Sequence, residues 1–154
     1  MPDLKDELLR LAGLLEISAQ DFSAVSIHAW PAIMHKIEAA FIIKRNSNTH
    51  FNWWWESLKA TQYPMRFTHG LAYTHLDKLL PKQQKVWFVA SGVGKLWLFE
   101  GTVAAIQYIL DNHYGFEYYL VSKKYEWFLC RNHHDVLIGL GTIIPHMQAR
   151  EEGC

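Results

Sequence analysis

The chain has 154 residues, with 15 Lys and Arg against 15 Asp and Glu, so it is formally neutral while its nine histidines are uncharged. A single domain of this length removes roughly 68–70% of its unfolded surface from water, enough for a core without metal or disulfide staples. A composition that is 50% hydrophobic and 19% charged argues against wholesale disorder, and the neutral balance argues against nucleic acid or an anionic membrane as a general partner.

In chain order, Leu4, Leu8, Leu11 and Leu15 recur at helical spacing behind an acidic opening turn, which predicts a first helix ending near Ile17. Ser18 with Asp21 three residues on reads as an N-cap, opening a second helical stretch through Phe22 and Val25. Pro31 followed by Ile33, Met34, Ile37, Ala40 and Phe41 predicts a third helix over 31–44 with proline in its first turn. Residues 45–52 read as a polar loop. Short helices are expected after Asn52 and over 74–80, the second stopped by Pro81.

After Pro81 the helical period gives way to short β-branched and aromatic runs. The β-branched and aromatic runs 85–90 and 95–99, joined by Ser91-Gly92-Val93-Gly94, read as a hairpin. A helix over 102–112 follows, then strands over 115–122, 125–131 and 135–140. The expectation is one α+β domain: a helical layer over 1–80, a mainly antiparallel sheet of about five strands with one crossover helix over 85–141, and a short helix or tail over 142–154. The strands are apolar at nearly every position, so both faces of the sheet must be covered, by helices, a dimer mate or a partner protein.

Cys130, in an apolar run, and Cys154 are the two cysteines, so no disulfide framework is expected. The acidic start and the lack of an 18-residue apolar stretch point to a cytoplasmic protein that does not enter a membrane.

Candidate chemistry is sparse. Ser91 to Lys95 resembles part of a phosphate loop, but Lys95 leads into a strand rather than a helix, so the turn reading prevails. Asn132-His133-His134-Asp135 is the densest polar cluster. Two imidazoles and a carboxylate suit a transition metal or acid–base chemistry, with His113 or His146 as a distant third ligand, and a small metal-dependent hydrolase is the alternative function. Adjacent side chains on a strand face opposite ways, however, and Asn and Asp in such a turn bond the local backbone. Glu100 and Glu117 are the carboxylates nearest strand ends. Trp53, Trp54 and Trp55 cannot all be hidden on one face, which makes them candidate partner-binding anchors, or stacking platforms for a carbohydrate or nucleotide.

The segment Tyr114-Gly115-Phe116-Glu117-Tyr118-Tyr119-Leu120-Val121-Ser122-Lys123-Lys124-Tyr125-Glu126-Trp127-Phe128-Leu129-Cys130-Arg131-Asn132-His133-His134-Asp135 resembles a group of short, uncharacterised bacterial proteins. These are similar in kind to the small α+β immunity proteins, the SMI1/KNR4-like superfamily among them, which neutralise toxins delivered by neighbouring cells. The resemblance covers about residues 85–141. It implies a non-enzymatic protein that occludes a cognate toxin sterically, and it supplies no catalytic residues; no cofactor or metal is expected, and a homodimer is one candidate cover for the apolar sheet. Trp53 to Trp55 and Asn132 to Asp135 are then the candidate contact residues. Many immunity proteins are acidic to match cationic nucleases, and the neutrality of this chain argues against a nuclease target.

Overall fold

The computed structural model describes residues 3–43, 58–59, 61–92, 94–113 and 115–152. The first element is α1 (Leu4–Leu14), whose N-cap Asp3 accepts a hydrogen bond from the Asp6 amide at 2.8 Å. Next, β1 (Phe22–Ala24) precedes α2 (Trp30–Phe41), which starts with Pro31 in its first turn. Then come β2 (Tyr63–Met65), a 3-10 turn (Ala72–His75) and the single-turn α3 (Leu76–Leu79). The remaining order is β3 (Lys85–Gly92), β4 (Lys95–Thr102), α4 (Val103–Asn112), β5 (Glu117–Ser122), β6 (Trp127–Arg131), β7 (Leu137–Gly141) and α5 (Ile144–Glu152).

All seven strands form one antiparallel sheet in the order β1-β4-β3-β5-β6-β7-β2. The strand, strand, helix, strand, strand, strand order of the C-terminal half is the expected one, while the two extra strands come from the segment expected to be helical. Both are three residues long and sit at the sheet edges. Their own sequences carry no alternation, and their conformation is set by the strands they pair with, β4 and β7. The helix expected from Ser18 is instead a turn, in which the Asp21 and Phe22 amides both donate to the Ser18 carbonyl at 3.0 Å. Phe22 then stacks on Phe99 at 5.0 Å between ring centroids, and that burial in the sheet overrides local helix preference.

The apolar strands are explained by strict two-sided burial. Val86, Phe88, Ala90, Tyr118, Leu120, Leu129 and Leu137 pack under α1, α3, α4 and α5. Their neighbours Val89, Leu98, Tyr119, Val121, Phe128, Cys130, Ile138 and Leu140 face the other way, against Ile37 and Phe41 of α2 and against Ile42 and Leu58. The chain therefore supplies the second cover itself, and no dimer mate or partner is needed to seal this part of the sheet.

Gly141 closes the β7 end in the left-handed region, φ +76, where an added Cβ would overlap the Glu126 carbonyl oxygen. That carbonyl already accepts the Thr142 amide at 2.9 Å, so the backbone cannot easily yield. Gly141→Ala is expected to lower stability by about 2 kcal/mol or more. Denaturant titration checks it, and a loss within about 0.5 kcal/mol, the range of a neutral surface change, would contradict the role given to this glycine.

The core also fixes a pH response. Burial pushes the Cys130 thiol well above its usual range and does the same to the Tyr118 phenol, because neither anion can be solvated there. In the unfolded chain these groups ionise near about 8.5 and about 10. Above about pH 8.5 the unfolded state therefore binds fewer protons than the folded state, and stability falls as pH rises. Denaturation followed upward from neutral pH is expected to show this fall, and a smaller one in Cys130→Ala. An identical slope in that variant would contradict the assignment.

Candidate functional site

Of the two places singled out in the sequence, Trp53, Trp54 and Trp55 lie outside the described residues, as does the short helix expected after Asn52. Asn132 to Asp135 forms the turn between β6 and β7. The Asn132 side-chain oxygen accepts the His134 amide at 2.9 Å and the Val136 amide at 3.2 Å. Asp135 sits at φ +59, a conformation its short polar side chain tolerates. Both its carboxylate oxygens are engaged: Oδ1 accepts from Arg131 Nε at 3.0 Å, and Oδ2 accepts the Ala72 amide at 3.1 Å. Arg131 Nη1 also donates to the Phe116 carbonyl at 3.1 Å. The turn thus fastens the start of the 3-10 segment to the sheet.

The two imidazoles do meet, with ring centroids 3.9 Å apart, because both lie in the turn rather than on alternating strand positions. His133 contacts Glu117, whose Oε2 accepts the His133 amide at 3.2 Å and lies 3.3 Å from its Nδ1. His113, one of the two distant ligands considered with His146, instead pairs with Glu7 at 3.3 Å. Among the described residues no group of three or more His, Cys, Asp or Glu side chains is placed to hold a metal ion. Glu100 is the ion-pair partner of Lys123, whose ammonium lies 3.6 Å from the centroid of the Trp87 ring. The bonds of Asp135 are those of a structural latch. Asp135→Ala would leave the largely buried Arg131 without its carboxylate and Ala72 without its acceptor, a loss of about 2–3 kcal/mol. Asp135→Asn, which keeps an acceptor, is expected to lose less. Equal losses in a denaturation series would show that the hydrogen bonds do not carry the effect.

A second site emerges only from the tertiary structure. α2 crosses the sheet with its N-terminal end beside β4, and Trp30 stacks on Trp97 with centroids 5.9 Å apart and planes at 25°. Between them runs a groove of about 460 Å³, in the range of ligand-sized pockets. One wall is Trp30, Pro31, Met34 and Glu38, and the other is Lys95, Leu96 and Trp97. Lys95 holds its ammonium 5.7 Å from the Trp97 ring centroid. Among the described residues, the buried Trp30 indole N–H meets no hydrogen-bond partner. Such an unpaired donor is uncommon in a packed interior. Trp30 directly before a helix-opening proline, and Trp97 in the second strand of the hairpin, were the available sequence signals. Neither predicts the other as its partner.

The fold and the groove define an α+β protein with an open aromatic cleft at one sheet edge. The chain belongs to a family of unknown function, DUF6756, whose model matches residues 1–151. No curated protein and no solved structure matches it.

Proposed function

We propose that the chain is a non-enzymatic bacterial binding protein of the immunity kind, which neutralises a cognate protein toxin in the cytoplasm by steric occlusion, with the α2–β4 groove as its anchor. The observation that carries the binding part is the Trp30–Trp97 pair lining an open apolar groove. Tryptophans in desolvated, well-packed pockets supply a disproportionate share of binding energy at protein interfaces. The toxin part rests on the resemblance of residues 85–141 to short, uncharacterised bacterial proteins that are similar in kind to the small α+β immunity proteins. The imidazoles of His133 and His134 remain candidate contacts, as do Trp53 to Trp55 on sequence grounds alone. Asn132 and Asp135 act in this reading by shaping the turn that presents those imidazoles. The hydrolase alternative is less favoured, since a metal at His133 and His134 would have to draw Asp135 away from Arg131 and Ala72.

Co-expression tests the proposal. A toxin encoded beside this gene should cease to kill when the chain is present, and the two proteins should purify as a stoichiometric complex. Absence of both rescue and complex would overturn it.

A further inference from the structure

The groove has a backbone wall as well as side-chain walls. The Val25 amide donates to the Leu98 carbonyl at 3.0 Å, and the Thr102 amide donates to the Asp21 carbonyl at 2.9 Å. On β4, then, residues of this parity turn their amide groups away from β3 towards β1. Leu96 shares that parity, but β1 pairs with β4 only over Phe99 to Gly101. Among the described residues no strand lies beside Leu96, whose N–H and C=O therefore point outward at the mouth of the groove. The opposite edge of the sheet differs: it is β2, which carries Pro64 and so lacks one N–H for pairing.

We infer that this edge captures an extended segment of the partner protein, which adds to β4 at Leu96 as a further antiparallel strand. The inference rests on the binding reading above and names its mode. Main-chain bonds to Leu96 would supply sequence-independent affinity, and the groove would supply selectivity. A residue paired with Leu96 projects its side chain to the same face as Leu96, the α2 face, so it enters the groove beside Trp30 and Met34 and should be apolar. Its two neighbours project to the α1 face. There Asp3, Glu7, Lys95 and Trp97 line an adjoining hollow, in which two carboxylates stand against one ammonium. The flanking residues of the captured segment are accordingly basic, so a local acidic surface exists on a chain of zero net charge.

The probe is a fluorescein-labelled seven-residue peptide alternating lysine with valine, leucine and valine, compared with the same peptide methylated on the three apolar amide nitrogens. The wild-type chain is expected to bind the first peptide and to bind the methylated one at least about tenfold more weakly, since methylation removes the donors aimed at β4. In the free protein the Leu96 amide should exchange rapidly with solvent, and the unmethylated peptide should slow it. Leu96→Pro, which deletes the outward N–H while leaving the β3 pairing, should weaken peptide binding by a similar factor. Equal affinity for the two peptides would mean simple charge attraction and would overturn the inference, as would no binding at millimolar peptide. Protection of Leu96 by self-association, rising with protein concentration, would assign the edge to a second copy and overturn it equally. The two readings fail separately. If Leu96→Pro still rescues cells from the toxin as well as wild type, edge addition is wrong and toxin binding stands; peptide capture without rescue from the neighbouring toxin removes the immunity reading alone.

Discussion

Phe128→Ala is expected to lower the unfolding free energy by about 3–5 kcal/mol, the largest loss from any single truncation considered. The ring is fully buried and lies 5.3 Å from Phe41 of α2 and 5.4 Å from Tyr119 of β5, centroid to centroid. It is thus the peg that joins α2, the one helix on this face among the described residues, to the middle of the sheet. Truncation removes the apolar transfer term and also opens a cavity that rigid strands cannot close. The effect should appear in the denaturation midpoint without a large change in the denaturant slope, as for a loss of packing in an otherwise intact fold. A loss below about 1 kcal/mol would mean that α2 does not seal the second face, because a well-packed aromatic cannot be removed so cheaply.

Trp97→Ala should behave in the opposite way. Trp97 is only partly buried, at the edge of the α1-side core, so its removal should change stability far less than Phe128→Ala. Binding of the partner should weaken by about 2 kcal/mol, roughly thirtyfold, as for truncation of an interface anchor. Trp30→Ala is expected to weaken binding too, but it also removes a ring that packs against the α2-side core, so Trp97 gives the cleaner separation. If the Trp97 variant bound its partner as tightly as wild type, the groove would be packing detail rather than an anchor.

These two residues also show how much could be read in advance. Phe128 lies in Trp127-Phe128-Leu129-Cys130, whose continuous apolarity already required cover on both sides of a strand. The sequence did not say which element supplies that cover, because the amphipathic stripe of α2 looks the same whether it faces its own sheet or another chain. α1, α2 and α4 were legible because each repeats its apolar positions over at least two turns. β1 and β2 were not, since three residues carry no period and their conformation is imposed by β4 and β7.

The site was less legible than the fold. His133 and His134 attracted attention through residue type, yet the partners that define the turn, Ala72, Phe116 and Glu117, come from distant segments. The stacking of Trp30 on Trp97 depends on where α2 ends over the sheet, and no local pattern encodes that register. The expected shortage of cover for the sheet pointed towards a partner; the structure removes that argument and supplies a different one, an aromatic groove beside an open strand edge.

The most direct test of the binding account is a titration of the cognate toxin it proposes, sought in the gene beside this one, with wild-type chain and with Trp97→Ala, reading residual toxin activity. The account predicts stoichiometric inhibition by wild type and a roughly thirtyfold weaker effect of the variant at equal folded concentration. Equal inhibition by both proteins would contradict it.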